Sequence, residues 1–268
     1  MKPEFLSQQI KNKKSFLCVG LDTDMARIPQ HLLNEPDPVF AFNREIIAAT
    51  QEYAIAYKPN IAFYEALGPR GWESLQKTLD IIPKEIFVLA DAKRGDIGNT
   101  SRLYAQTFFE TFSFDGVTVA PYMGKDSVNP FLQFEDKWVF LLALTSNPSA
   151  VDFQHHGSPD SPLYHKVLET AQSWRRESAG HLGFVVGATR AEAMQDIRSR
   201  APDAFLLVPG IGAQGGDLHS VCQYGRTETG GLLINSSRGI IYAGNNRDFS
   251  KKSEKAARIL QQEMASYV

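Results

Sequence analysis

The sequence has few cysteines, no excess of either charge and no long apolar run. Its 268 residues include only Cys18 and Cys222, too few for a disulfide framework. The 28 basic and 30 acidic residues give a net charge of −2, whereas a nucleic-acid-binding protein carries a marked basic excess. Because 43% of the residues are hydrophobic and 22% are charged, as in ordinary globular proteins, a disordered chain is also excluded.

No segment reaches the roughly 18 consecutive apolar residues that a membrane span requires. The apolar run Phe16–Leu21 follows Lys11, Lys13 and Lys14, an order that a secretion signal also shows. However, the run is too short, acidic residues close it directly, and no small-residue cleavage site follows. We therefore expect a cytoplasmic protein.

The six histidines are scattered along the chain. His155 and His156 lie in a polar stretch with Gly157 and Pro159, and no third ligand stands at a suitable spacing. The sequence therefore predicts no metal site.

Eight short apolar runs alternate with longer amphipathic segments. Strands that alternate with helices specify a parallel sheet, and a count of eight indicates a closed barrel rather than an open sheet. We therefore predict an α/β fold, a (β/α)8 TIM barrel, as a single domain over residues 1–268. The barrel proper would span about 16–243, and a C-terminal helix about 249–264. The eight runs are Phe16–Leu21, Ala54–Lys58, Ile86–Ala90, Gly116–Ala120, Val139–Leu144, Gly183–Gly187, Phe205–Val208 and Gly231–Ile234.

Polar side chains fall at or just past the C-terminal ends of six of these runs. In a closed parallel barrel those ends meet at one rim, where barrel enzymes build their active sites. For a single polar residue, solvation in a loop is the simpler interpretation, but eight residues from six strands predict a shared site. The eight are Asp22, Lys58, Asn60, Asp91, Lys93, Ser146, Gln214 and Arg238.

The third run leads directly into three charged residues, Asp91, Lys93 and Asp96. Residues two apart on a strand point to the same face, so Asp91 and Lys93 should project together. Charges of both signs are costly to desolvate unless they pair or meet a ligand. A structural ion pair is one interpretation, but the glycine and helix-start residues that follow favour an active site.

Two glycine-rich loops follow the seventh and eighth runs, where barrels frequently bind phosphate. They are Gly210–Gly216 and Ser236–Gly239. Glycines let backbone N–H groups approach an anion, and Arg238 supplies a forked, permanently charged donor. Simple turns would explain either loop alone, whereas the two loops together favour a phosphate site.

The segment Asp91-Ala-Lys-Arg-Gly-Asp-Ile-Gly-Asn-Thr100 is similar to the signature of the orotidine 5'-monophosphate decarboxylase family, and its wording resembles the second (type 2) subfamily. Agreement at five separate places, from residue 16 to about 243, is more specific than any one motif. The four further segments, in family order, are Cys18-Val-Gly-Leu-Asp22, Tyr57-Lys-Pro-Asn60, Pro209-Gly-Ile-Gly-Ala-Gln-Gly-Gly-Asp217 and Asn235-Ser-Ser-Arg-Gly239.

The resemblance implies decarboxylation of orotidine 5'-monophosphate to UMP and CO₂ without a cofactor, the last step of de novo UMP synthesis. Negative charge then develops at C6 of the pyrimidine, where a preorganised cation can stabilise it. Lys93 is the candidate for that cation and for the proton donor to C6. Asp91 and Asp96 would raise the pKa of Lys93 by favouring its charged form, and Lys58 would hold Asp91 in place.

The resemblance also implies the substrate contacts. Asp22 would accept a hydrogen bond from a ribose hydroxyl, although a helix N-cap is an alternative role. Ser146 would meet the amide edge of the pyrimidine, although a serine before Asn-Pro also forms turns. Gln214 and Arg238 would hold the phosphate. The expected set is Asp22, Asn60, Thr100, Ser146, Pro209, Gln214, Gly215, Arg238 and Gly239.

The family further implies a homodimer, in which Asp96 and Thr100 reach into the site of the neighbouring subunit. The chain departs from the commoner family pattern at Arg94 and Gly95, and Arg94 receives no role. A long segment after Ser146 also departs from that pattern, and its composition predicts a mobile loop.

Two other functions stay open on the sequence alone. A magnesium-dependent sugar-phosphate decarboxylase or aldolase of the same barrel group carries an acidic residue on strand two, where this chain has Lys58. A non-catalytic nucleotide-binding barrel would not need the array of Lys58, Asp91, Lys93 and Asp96 beyond its phosphate grip.

Overall fold

The computed structural model describes residues 1–187, 191–210 and 217–268. Its barrel strands are β1 (Leu17–Leu21), β2 (Ala56–Pro59), β3 (Phe87–Arg94), β4 (Gly116–Val119), β5 (Trp138–Leu144), β6 (His181–Val186), β7 (Leu206–Pro209) and β8 (Leu232–Ser236). They pair in parallel with their neighbours, and β1 pairs with both β2 and β8, which closes the barrel. The (β/α)8 TIM barrel predicted from the sequence is confirmed.

Helices surround the barrel, and several begin at residues suited to a first turn. Pro38 occupies the first turn of α2, and the Asp37 carboxylate accepts a hydrogen bond from the Phe40 N–H at 3.0 Å. The helix that ends at Trp174 continues directly as a 3₁₀ turn over Arg175–Glu177. The helices are α1 (Pro3–Lys13), α2 (Pro38–Thr50), α3 (Ile61–Glu65), α4 (Pro69–Asp80), α5 (Gly98–Gln106), α6 (Lys125–Leu132), α7 (Leu163–Trp174), α8 (Ala191–Arg200), α9 (Leu218–Gly225), α10 (Arg238–Ile241) and α11 (Phe249–Met264).

Aromatic rings fill the barrel interior near the N-terminal ends of the strands. The ring centroids of Phe87 and Trp138 lie 6.0 Å apart, and those of Trp138 and Phe205 lie 5.2 Å apart, both edge to face. Gly183 makes room for this layer, since a β-carbon there would lie 2.7 Å from the ring of Phe140. Burial of each ring contributes roughly 1.5–3 kcal/mol. This end of the barrel is therefore packed shut, and polar groups gather at the other end.

The segment between β5 and α7 contains local structure of its own. A 3₁₀ helix covers Pro148–Asp152, and a two-stranded hairpin pairs Gly157–Ser158 with Ser161–Pro162. Its mobility stays a prediction. Across the part of the chain that the structure describes, no helix is long and apolar enough to cross a membrane.

Candidate active site

Two lysines share one carboxylate at the C-terminal mouth of the barrel. The Lys58 Nζ lies 2.7 Å from Oδ2 of Asp91, and the Lys93 Nζ lies 2.5 Å from Oδ1 of the same residue. The Asp22 carboxylate is 3.9 Å from the Lys58 Nζ. The structure thus brings together four charged residues predicted from the sequence, from strands β1, β2 and β3.

The two lysines differ in their access to solvent. The Lys58 side chain is 4% exposed, whereas the Lys93 side chain is 51% exposed. Lys58 is enclosed between the carboxylates of Asp22 and Asp91, so its positive charge stabilises these two negative charges. Lys93 presents its ammonium group to the open mouth, where a bound molecule can reach it.

The electrostatics of the array keep its buried members charged. Burial of Asp91 raises its pKa, but the ammonium groups of Lys58 and Lys93 outweigh burial and lower that pKa to about 2. Burial lowers the pKa of Lys58, but Asp91 and Asp22 outweigh it, so that pKa is raised. Lys58 and Asp91 are therefore both ionised at neutral pH.

Cys18 lies in the barrel interior close to this array. Burial raises the pKa of its thiol to about 12, so the thiol stays protonated and is not a nucleophile. The second thiol, Cys222, is also buried. Cys18 is therefore a residue of the hydrophobic core.

A bulge in β3 places Asp91 and Lys93. Ala90 pairs with Val117, but the next pair is Arg94 with Val119, so three residues of β3 stand opposite the single residue Thr118 of β4. The backbone of Lys93 has a φ of +48°, a left-handed conformation that costs a non-glycine residue about 1–3 kcal/mol. Asp91 and Lys93 meet as expected, but the regular strand alternation assumed from the sequence is not the reason.

Thr118 was not identified from the sequence. Its hydroxyl accepts hydrogen bonds from the backbone N–H groups of Ala92 at 3.0 Å and Lys93 at 2.9 Å, and donates to Oδ1 of Asp91 at 3.1 Å. A hydroxyl has two acceptor sites and one hydrogen, so this group is fully used inside the bulge. The available signal was one hydroxyl residue within the apolar run Gly116–Ala120.

Arg94, which received no role from the sequence, fixes the end of β3. Its guanidinium group pairs with Glu65 at the end of α3 and donates to the carbonyl of Ala92 at 3.0 Å. It also lies 5.5 Å from the ring centroids of both Tyr104 and Phe108, within the range of cation–π attraction. Arg94 therefore ties the bulged strand to two helices.

Asp22 is not the helix cap that the sequence left open. Asp24 takes that role, because its carboxylate accepts a hydrogen bond from the Ala26 N–H at 2.9 Å. Within the described chain, Oδ1 of Asp22 is buried and has no hydrogen-bond donor. A buried acceptor without a donor is costly, so Asp22 is suited to receive one from a ligand.

Asn60 follows β2 and caps α3, since its side-chain oxygen accepts from the Ala62 N–H at 3.3 Å. Its backbone also forms a parallel bridge to Asp91. The residue therefore links the end of β2 to the charged array.

Ser146 lies just beyond β5, in a loop closed by a side-chain amide. The Gln154 Oε1 accepts from the Thr145 N–H, and its Nε2 donates to the Thr145 hydroxyl, both at 2.7 Å. Gly187, after β6, packs against the backbone of this turn. The serine is thus held between two strand ends at the mouth.

The expected phosphate site is described in part. Pro209 ends β7, and Arg238 and Gly239 are exposed at the start of α10. Arg238 forms no ion pair with any described residue, so its guanidinium group is available to an anion. Gln214 and Gly215, also expected here, lie outside the described residues.

Asp96 and Thr100 lie just past β3, at the edge of the site. The Asp96 carboxylate accepts from the Ile97 N–H at 2.8 Å, and among the described residues it has no ion-pair partner. Thr100 is exposed in the first turn of α5. Apart from the Ile97 hydrogen bond, the described part of the chain therefore leaves both side chains available to another molecule.

Together, the fold and this mouth define a barrel enzyme built around a lysine–aspartate–lysine array. Comparison of sequences agrees, because the model of the family described as "Orotidine 5'-phosphate decarboxylase / HUMPS family" matches residues 15–252. The chain belongs to this family.

Comparisons with individual proteins support the same family. The chain is 56% identical to the orotidine 5'-phosphate decarboxylase of Christiangramia forsetii, with 99% of this chain and 98% of that protein covered. It is also 56% identical to the enzyme of the same name from Flavobacterium johnsoniae, with 100% and 98% covered. The solved OMP decarboxylase of Leishmania donovani superposes with a TM-score of 0.79 at 36% identity, over 96% of this chain and 97% of that one. The sugar-phosphate and non-catalytic alternatives are not favoured.

Proposed function

We propose that this chain removes CO₂ from orotidine 5'-monophosphate to give UMP, the last step of de novo UMP synthesis. The observation that carries the proposal is the array in which Lys58 and Lys93 hold opposite oxygens of Asp91 at 2.7 and 2.5 Å. The names of relatives that are 56% identical over nearly the whole chain support it.

The array suits a reaction that leaves negative charge on carbon. When the C6–carboxylate bond breaks, its electron pair stays on C6 and CO₂ leaves. The Lys93 ammonium group, exposed to the mouth, stabilises that charge and then transfers a proton to C6, and water returns a proton to the amine. A cation fixed before the reaction needs no reorganisation during it, which is the main source of electrostatic catalysis. This chemistry uses no metal ion or organic cofactor.

Asp91 and Lys58 have supporting roles in this mechanism. Asp91 holds the Lys93 ammonium group by a 2.5 Å hydrogen bond and lies where the substrate carboxylate departs. Lys58 keeps Asp91 ionised and in place, and is within reach of a ribose hydroxyl. Asp96 supplies a further negative charge to the site.

The remaining residues bind the nucleotide. Asp22, whose buried Oδ1 has no donor within the described chain, accepts from a ribose hydroxyl. Asn60 binds the same part of the nucleotide. Ser146 hydrogen-bonds to the amide edge of the pyrimidine, and Pro209, Gln214, Gly215, Arg238 and Gly239 surround the phosphate.

The active form is a homodimer in which Asp96 and Thr100 complete the partner subunit's site. Three exposed apolar side chains support this arrangement. Ile97, adjacent to Asp96 in sequence, is 59% exposed. Tyr122 and Met123, which follow β4, are 89% and 44% exposed, and the Met123 side chain lies close to Gly95. Neighbouring exposed apolar side chains on a folded protein indicate an interaction surface. A two-fold axis beside α5 would cover them and exchange the two polar residues.

The same proposal includes three narrower points. The amino-acid sequence of Asp91–Thr100 supports membership of the type 2 subfamily. The barrel proper, about 16–243, carries the activity within a single domain of 1–268. The enzyme acts in the cytoplasm, because its substrate carries a phosphate and a carboxylate that do not cross a membrane unaided.

A direct assay tests the proposal. Purified protein is mixed with orotidine 5'-monophosphate, and the loss of pyrimidine absorbance is followed together with CO₂ release. We expect both at equal rates, with UMP as the product, and no activity from the Lys93→Ala variant. Wild-type protein that binds the nucleotide but releases no CO₂ would instead indicate a non-catalytic barrel.

A further inference from the structure

The hydroxyl of Thr118 is the contact that holds the β3 bulge together. Thr118 is buried within β4, opposite Asp91, Ala92 and Lys93. Its oxygen receives two backbone N–H groups, and its hydrogen is directed to Oδ1 of Asp91. Because both acceptor sites are occupied, the hydroxyl hydrogen has one remaining direction, toward the carboxylate.

The same carboxylate oxygen also binds the Lys93 ammonium group. Oδ1 of Asp91 therefore accepts from the Lys93 Nζ at 2.5 Å and from the Thr118 hydroxyl at 3.1 Å, while Oδ2 accepts from Lys58. These three donors fix the plane of the carboxylate. Without the hydroxyl, one donor to the carboxylate would be lost and two N–H groups of the bulge would lose their partner.

We propose that Thr118 is a positioning residue for decarboxylation: its hydroxyl keeps Lys93 in the left-handed conformation and holds the Asp91 carboxylate to which the Lys93 ammonium group is bound. This inference rests on the proposed function. The φ of +48° at Lys93 is unfavourable by itself, and such conformations persist only where surrounding contacts impose them. Thr118 makes the contact with the Lys93 N–H that imposes it.

The test compares Thr118→Val, which keeps the shape but removes the hydroxyl, with Thr118→Ser, which keeps the hydroxyl. A misplacement of about 1 Å in a reacting group can cost on the order of 100-fold in rate, so we expect Thr118→Val to lower kcat by about 30- to 100-fold. The Kd of UMP should stay within about threefold, because the phosphate grip is on β7 and β8. Thr118→Ser should retain kcat within about threefold.

Thr78→Val is the matched control. Thr78 is also fully buried, donates to the Ser74 carbonyl and accepts from Asn43, but it lies in α4, and neither hydrogen bond is to Asp91 or to the β3 bulge. Its loss should lower Tm, as loss of the Thr118 hydroxyl does, yet leave kcat unchanged. If Thr118→Val does not fold, Thr118→Ala removes the same hydroxyl and replaces it in the comparison.

Three results would overturn the role of Thr118: a Val variant with kcat near wild type, a Ser variant as impaired as Val, or a Thr78→Val variant with an equal fall in kcat. Wild-type protein that does not decarboxylate the substrate would instead refute the proposed function. In that case, a crystal structure of Thr118→Val would still test whether the hydroxyl positions Lys93 and Asp91. Retention of the positive φ at Lys93 and of the Lys93–Asp91 contact would refute it.

Discussion

Gly187 lies so close to Ser146 that a residue with a side chain does not fit at position 187. A β-carbon at Gly187 would come within 2.6 Å of the Ser146 backbone nitrogen and 3.0 Å of its β-carbon. The Gly187 N–H also donates to the Leu144 carbonyl at 2.7 Å. The end of β6 is thus the support on which the Ser146 turn rests.

Gly187→Ala should therefore displace Ser146 and weaken recognition of the pyrimidine. We expect a rise in KM of about tenfold, and a similar rise for Ser146→Ala, from the loss of one hydrogen bond to a ligand of about 1–1.5 kcal/mol. If Gly187 acts through Ser146, the double variant should be no worse than either single variant. Steady-state kinetics of the four proteins measure this. Additive losses would show that the two residues act independently.

Arg238→Ala should weaken binding of the phosphorylated substrate by about 2–4 kcal/mol, as expected for the loss of a charged partner to a bound anion. Turnover of orotidine, which has no phosphate, should change little. Arg247→Ala, which removes another exposed arginine beyond α10, serves as the control and should resemble wild type on both substrates. Equal losses of kcat/KM on both substrates would remove Arg238 from the phosphate site.

Subunit exchange tests the shared site. Lys93→Ala and Asp96→Ala homodimers should each be nearly inactive. In a mixed dimer, one site lacks both residues and the other has both, so random exchange should restore activity to about a quarter of wild type per site. Activity is followed after the two proteins are mixed.

A second mixture is the control for this experiment. Lys93 and Asp91 meet within one chain at 2.5 Å, so a mixture of Lys93→Ala and Asp91→Ala dimers damages every site and should stay inactive. Proven Lys93/Asp96 heterodimers that show no recovery would mean that Asp96 serves its own chain.

The charged array should stabilise the fold in a pH-dependent way. The pKa of Asp91 is lowered from 3.8 to about 2, so its contribution is fully present above about pH 4 and is lost as the pH falls toward 2. This shift corresponds to about 2 kcal/mol. The difference in free energy of unfolding between wild type and Asp91→Asn should therefore shrink by about that amount from pH 5 to pH 2, measured by urea denaturation. A difference that stays constant over this range would contradict the ion-pair account.

Decarboxylation should survive exhaustive treatment with EDTA. The magnesium-dependent sugar-phosphate enzymes considered as an alternative carry an acidic residue on strand two, where this chain has Lys58. The Lys58 ammonium group instead lies between the carboxylates of Asp22 and Asp91. Activity that is lost on chelation and restored by Mg²⁺ would instead assign the protein to the sugar-phosphate group.

The sequence predicted the barrel because a strand that is buried on both faces is apolar nearly throughout. Each of the eight apolar runs can therefore be recognised from its own residues alone. It also predicted that Lys58, Asp91 and Lys93 lie together at the rim, since the ends of parallel strands meet at one edge. The lengths of the elements were less accurate. β3 extends to Arg94, well past the apolar run that ended at Ala90, because hydrogen bonds to β4 continue beyond the bulge.

The bulge and the role of Thr118 could not be predicted in this way. Strand register is decided by the pairing of two distant segments, here β3 and β4, and neither segment alone shows that three residues stand opposite one. Likewise, the contact of Arg94 with Glu65 depends on where α3 packs. Composition could show that a threonine in an apolar strand is unusual, but not which groups it would bind.

The aromatic layer of Phe87, Trp138 and Phe205 has a consequence for the order of events in turnover. With that end sealed, both products must depart by the route through which the nucleotide arrived. In the proposed mode of binding, CO₂ would form beside Lys93, and UMP could leave only after its phosphate group dissociates from Arg238. If Arg238 binds the phosphate as proposed, the residues around it would then set both the affinity for the nucleotide and the rate at which the product leaves.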